Sequence, residues 1–172
     1  MNLLPQTYLL GLVGLLAIVA VVVGRQFFRV RRDEARLIEL EKSETALSRQ
    51  ASDLYELGSV QLRKRLYPQA AATLKQALKR LSGEPDEARA LIENALGFAL
   101  AAQKDYSGAT KHYKSALRAK SDYPVALNNL AFAQEKLLKD AEALSLYEQT
   151  LKLDPDNSTA KKGLKKLKRR MS

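Results

Sequence analysis

His112 is the only histidine of the chain, and no cysteine stands anywhere beside it. Disulfides, thiol catalysis and thiolate metal sites are excluded, and one imidazole builds no His-based metal centre unless carboxylates supply most of the ligands. The stretch around it, ALGFALAAQKDYSGATKHYKSAL (95–117), sets Gly, Tyr and Ala at fixed steps and pairs no nucleophile with a base. A glycine-rich phosphate loop, a Ser/His/Asp context and carboxylates paired in an unusual setting are missing from the rest of the sequence. The acidic SGEPDE (82–87) falls at a helix start, where carboxylates favour the dipole. His112 is expected as a surface or half-buried helical residue. The chain is expected to be no enzyme, with no cofactor, no metal and no small-molecule substrate.

The charged residues offer a different chemistry. The net charge is +10, unevenly placed. Residues 1–24 carry no Lys, Arg, Asp or Glu, and residues 25–36 carry five Arg against Asp33 and Glu34. Residues 37–160 hold 17 basic and 17 acidic residues, and residues 161–172 hold seven basic and none acidic. A neutral body argues against a broad nucleic-acid face. Two local patches remain: Arg29, Arg31 and Arg32 near the start, and Lys161, Lys165, Lys168 and Arg169 near the end. Both are candidates for contact with anionic lipid or an acidic partner. The second also serves as a polar outer cap, and no aromatic residues are interleaved with its bases, which disfavours nucleic acid.

These patches flank recognisable elements. YLLGLVGLLAIVAVVVG (8–24) is 17 uncharged residues, and the charge-free run reaches back to Met1. About 20 such residues cross a hydrocarbon core of about 30 Å. A cleavable signal would want a positive start and a small-x-small site, and a buried core helix a polar face; neither is evident. A single membrane-spanning anchor over residues 1–28 fits best. The Arg cluster follows it, so the positive-inside rule keeps the C-terminal bulk on the cytoplasmic or stromal side. Tyr8 and Phe27–Phe28 bracket the span at aromatic-belt positions. Residues 29–50 lack Gly and Pro and are expected as a helical stalk. Leu40, Leu47 and Leu54, with Leu37 beside them, repeat every seven residues. That spacing admits a short coiled-coil dimer seam, interrupted by Glu44, or a stalk that packs on the following domain.

From residue 51 the sequence repeats. Leu57–Gly58, Leu96–Gly97 and Leu130–Ala131 are equivalent. Tyr67, Tyr106 and Asp140 follow at one fixed step, then Ala70, Ala109 and Ala143, then Leu74, Tyr113 and Tyr147, then Ala77, Ala116 and Thr150. Gly97 to Ala131 is 34 residues; Gly58 to Gly97 is 39, with the extra five around SGEPDE. The period and residue order resemble the tetratricopeptide repeat. No repeat opens on Trp, Thr150 stands for a usual Ala, and Ala131 for Gly. Three repeats are placed at about 51–84, 90–123 and 124–157, with helices near 51–65, 68–81, 86–103, 106–120, 124–137 and 140–153. Gly83 is expected to stop a helix, and the insertion to lengthen the helix after it by about a turn. Residues 158–172 form a basic capping helix, started by Asn157 or Ser158, with Ala160, Leu164 and Leu167 as its apolar stripe. The fold class is all-α: a transmembrane helix and stalk, then a right-handed solenoid of three helix pairs and a cap.

The resemblance implies binding on a concave groove lined by the first helix of each repeat. Tyr55, Ser59, Leu62 and Arg63, then Asn94, Phe98 and Ala101, then Asn128, Phe132 and Glu135 are expected to face it. Phe98 and Phe132, one repeat apart, suit an extended or helical peptide whose backbone Asn94 and Asn128 would bond; the alternative is that neighbouring helices or the stalk cover the Phe pair. The Lys/Asn clamp for chaperone C-terminal carboxylates is absent, since Tyr55 and Ser59 occupy its first places. An anchor, a stalk, three repeats and a basic tail together resemble the membrane-anchored tetratricopeptide proteins of cyanobacteria and plastids implicated in photosystem I assembly. That likeness implies a thylakoid location and photosystem I subunits as partners. The alternative is a general membrane-complex scaffold, or a tether that binds anionic lipid.

Overall fold

The computed structural model describes residues 4–42, 50–83 and 85–171, and among them there are eight helices and no strand. They fall into two units, Met1–Ser43 and Glu44–Ser172.

The first unit is one helix, α1 (Leu4–Lys42). Pro5 lies in its first turn, where the missing N–H costs nothing, and no later Pro interrupts it. Its segment Gly11–Glu39 has a mean hydropathy of 2.0 in its most apolar stretch and none of that stretch is buried, so α1 is long and apolar enough to cross a membrane. The helix runs on without a break through Arg29, Arg31 and Arg32, all exposed. The Arg31 guanidinium sits 5.4 Å from the centre of the Phe27 ring.

The second unit contains α2 (Ala51–Arg63), α3 (Tyr67–Arg80), α4 (Asp86–Ala102), α5 (Tyr106–Ala119), α6 (Pro124–Lys136), α7 (Asp140–Leu153) and α8 (Ser158–Met171). Their ends lie where the turn chemistry puts them. Asp53 accepts a hydrogen bond from the Gln50 amide at 3.2 Å, Asp105 from that of Gly108 at 2.8 Å, and Asn157 from that of Ala160 at 3.0 Å. Asn157, rather than Ser158, is thus the cap of α8. Gly83 follows α3 with φ +80°, a conformation only glycine takes without strain. The three turns inside the helix pairs carry the same left-handed residue: Arg65, Lys104 and Leu138 at φ 60°, 67° and 59°. The insertion lengthens α4 to 17 residues against 13 in α2 and α6.

Packing follows the repeat. A Cβ on Gly58 would lie 2.7 Å from Leu74 Cγ, and one on Gly97 2.6 Å from Tyr113 Cε1, so these small residues let the helices of a pair close on each other. Three core clusters result, centred on Leu54, Leu74 and Leu96, on Tyr113 and Leu130, and on Tyr147, Ala160 and Leu167. Each bridges consecutive helices, as a stack of units that cannot bury their apolar faces alone requires. Thr150, fully buried, satisfies its hydroxyl by donating to the Leu146 carbonyl at 2.9 Å. Among the described residues, α2 touches α4, α4 touches α6 and α6 touches α8, while α3, α5 and α7 do not touch one another. The first helices therefore line the tighter, inner face.

The heptad reading needs correction. Leu54 is 1% exposed and belongs to the first core cluster, so it cannot serve a coiled-coil seam. Leu47 lies outside the described residues, as does the side chain of Leu40.

Candidate protein-binding groove

Because α2, α4 and α6 line the inner face, what projects from their outward positions defines the groove. Phe98 on α4 is 45% exposed and Phe132 on α6 is 42% exposed. Both follow directly on a small residue, Gly97 and Ala131, that is fully enclosed against the second helix, so the next position turns away from the core. Exposing this much aromatic area to water is unfavourable by roughly 25 cal/mol per Å². Phe132 is held from the side: its ring meets Tyr106 edge-on with centres 6.3 Å apart, and Lys136 Nζ lies 5.2 Å from its centre. Neighbouring residues therefore brace Phe132 without covering it.

A polar cluster lies beside the aromatics. Asn129 Nδ2 donates to Asn94 Oδ1 at 3.0 Å, and Asn94 Nδ2 donates to the Tyr123 hydroxyl at 3.4 Å. Burial pushes the Tyr123 phenol up, with Tyr55 adding to that and the Asn94 bond opposing it. Tyr55 is half-buried and packed against the first core cluster. Asn94 is therefore already engaged by its own fold. Asn128 is half-buried and its Oδ1 is enclosed without a partner. Arg63 and Ser59 lie toward the end of α2, Arg63 exposed and Ser59 half-buried. Leu62 packs on the core, and Ala101 is buried.

Glu135 is a correction to the sequence-based expectation. It is 6% exposed and points away from the groove: Tyr147 donates to it at 3.4 Å and Lys166 pairs with it, so it ties α6 to α7 and α8. Burial and the nearby carboxylate push the Tyr147 phenol well above its ordinary range. Glu93 has the equivalent role in the preceding repeat, 8% exposed and 2.7 Å from His112 Nδ1 on α5. His112 is half-buried, as its sequence context predicted, and its partner was not legible there. The sequence spacing of Glu93 and His112, 19 residues, carries no periodic signal.

Nothing in the residue pattern hinted at a pocket of about 270 Å³ at the start of the groove, walled by Tyr55, Leu81, Leu91 and Ile92 and by the first residues of α2. Its wall brings Leu91, 42% exposed, together with Tyr55 and with Leu81 just after α3. Of the basic candidates, Lys161 pairs with Asp156 at 3.2 Å, and Lys165, Lys168 and Arg169 are exposed on α8.

Residues 55–124 and residues 100–167 each match the tetratricopeptide repeat family. The chain belongs to the tetratricopeptide repeat family. Tetratricopeptide repeats are protein-binding scaffolds, and this member is 33% identical over 90% of its length to the chloroplastic tetratricopeptide repeat domain-containing protein PYG7 of Arabidopsis thaliana. It spans only 51% of that relative. It is 32% identical to the ycf37 protein of Guillardia theta over 92% of this chain and 89% of that one. Both matches are longer than the repeats, so they reach into α1. Among solved structures, the first tetratricopeptide domain of Spaghetti (RPAP3), bound to an HSP90 peptide, superposes with a TM-score of 0.66 at 22% identity, covering 71% of this chain and 93% of that one. The Cut9–Hcn1 assembly does so with a TM-score of 0.74 at 19% identity over 84% of this chain and 28% of that one. These likenesses show the solenoid fold.

Proposed function

We propose that this tetratricopeptide protein is a membrane-tethered, non-catalytic scaffold that holds a polypeptide in its groove and assists the assembly or stability of photosystem I. The observation that carries the binding role is the exposed pair Phe98 and Phe132, one repeat apart on the inner face and each nearly half open to water. Two such rings grip apolar side chains a repeat apart on a bound segment, and the pocket beside Tyr55 takes a third. Asn128 is the remaining asparagine, since Asn94 is occupied. The photosystem assignment draws on the resemblance in layout and on relatives named as chloroplastic or ycf37. The tether is α1, placed in the thylakoid membrane with the solenoid on the cytoplasmic or stromal side, as the Arg residues after it favour.

The test is recovery of partners from detergent-solubilised thylakoid membranes with the tagged full chain. Photosystem I subunits are the expected catch. Phe98→Ala with Phe132→Ala should lower their recovery about tenfold or more, as aromatic anchors at interfaces do, while the helical melting curve stays put. Recovery of unrelated proteins alone, after crosslinking, would falsify the photosystem assignment. Unchanged recovery with the double variant would remove the groove from the account.

A further inference from the structure

Helix α8 follows the third helix pair and packs on α7 and α6. It packs through Ala160 and Leu167, both fully buried, and through Gly163, where a Cβ would run into the Tyr147 ring. Its apolar residues are thereby largely spent on α7 and α6, and its cations are fixed outward on a rigid rod. Three of them meet acids of the body: Lys161 with Asp156, Lys166 with Glu135 and Arg170 with Asp140. Lys162, Lys165 and Lys168 have no acidic partner among the described residues. Lys161, Lys165 and Lys168 share one face of the helix. They and Arg169 rim a shallow, open trough of about 470 Å³ with Leu151 and Leu164 at its floor.

We infer that this face docks on an anionic phospholipid surface. The rim is made mostly of long, flexible ammonium side chains, which act as point charges and adapt to many headgroups; fixed recognition of one carboxylate favours the bidentate fork of Arg. No buried polar side chain lines the floor, so there is no built subsite for a single anion. The lysine stems lie along Leu151 and Leu164 and leave their heads toward the interface. The charge is concentrated as well: residues 161–172 hold seven of the eight excess cations of residues 44–172. The inference does not rest on the groove, and its test reads vesicles where the earlier one reads protein partners.

Every member of the three core clusters lies between Leu54 and Leu167, so residues 44–172 bury their core without α1. That fragment is to be mixed with vesicles of phosphatidylcholine alone and with vesicles rich in phosphatidylglycerol, and floated through a density gradient. Flotation is expected only with the anionic vesicles, and it should decline with salt. Each Lys near such a surface is worth about fivefold in partition. Lys161→Gln, Lys165→Gln and Lys168→Gln together should therefore lose roughly a hundredfold, with the melting curve unchanged. Neutralising Lys75, Lys79 and Lys111, exposed on the body, should cost far less. No flotation of the wild type overturns the inference. So does equal flotation of the α8 variant, or an equal loss with the body variant. Retention on immobilised polyglutamate without vesicle binding would assign the face to an acidic protein instead.

Discussion

Tyr113 shows how much one residue depends on its surroundings. It is 1% exposed, its ring lies against Gly97, and burial pushes its phenol well above the ordinary range. An unfolded tyrosine ionises near pH 10. A folded-state pKa above that value contributes stability that is fully present below about pH 10 and is lost as pH rises further, because only the unfolded chain can then release the proton. Tyr147 adds to the same loss. Tyr113→Phe keeps the packing ring, so it should change the melting temperature little at neutral pH and make the fall above about pH 10 shallower. Identical alkaline slopes for wild type and variant, read by circular dichroism against pH, would show that the phenol is not held neutral. The sequence alone marked Tyr113 as a packing position by its spacing from Gly97; the shift of its phenol needed the neighbours that enclose it. Phe98 and Phe132 belong to the same scale. Their matching places in successive repeats were legible, and their exposure was not, because exposure depends on which face of each helix the stack leaves open.

Among the elements, α8 is the one the sequence described least completely. Its basic residues and thin apolar stripe were plain, and so was a cap at Asn157 or Ser158. What the spacing did not reveal is Gly163, which occupies for the cap the role that Gly58 and Gly97 play within pairs, letting α8 settle on Tyr147. Gly163→Leu should lift α8 from α7 and cost on the order of 1–3 kcal/mol, as overpacking does. Lys162→Leu beside it, on the exposed face, should cost far less. Thermal melts with amide exchange along α8 distinguish the two, and equal behaviour would mean that α8 contributes no packing at that point. Leu54 teaches the converse. Its seven-residue spacing from Leu47 is compatible with a seam, and also with the inward stripe of a repeat helix; only the packing of α2 on α3 and α4 decides which.

Across the whole molecule, charge and hydropathy divide the work. An apolar helix near the start carries Arg residues just after its apolar run, and a neutral solenoid ends on a cationic helix. If α1 spans the thylakoid membrane with the Arg cluster on the stromal side, protease added outside sealed thylakoids should digest the solenoid while alkaline washing leaves the chain in the membrane. Protection of the solenoid from external protease would reverse the orientation, and release by alkali would remove the span. Binding at the groove and binding at α8 are read by different experiments, on protein partners and on vesicles, so one can fail while the other stands.

The sequence by itself determined the helices and their order, because a 34-residue period of small and large residues admits one way of stacking and because Gly83, Asp105 and Asn157 punctuate it locally. It also determined the segregation of charge, which is a property of composition along the chain. Only the tertiary structure decided which polar side chains are spent inside. Glu135 turned from the groove to Tyr147 and Lys166, Asn94 was taken by Asn129 and Tyr123, and His112 found Glu93. Those partners come from different helices at separations with no period, so they exist only once the helices are packed.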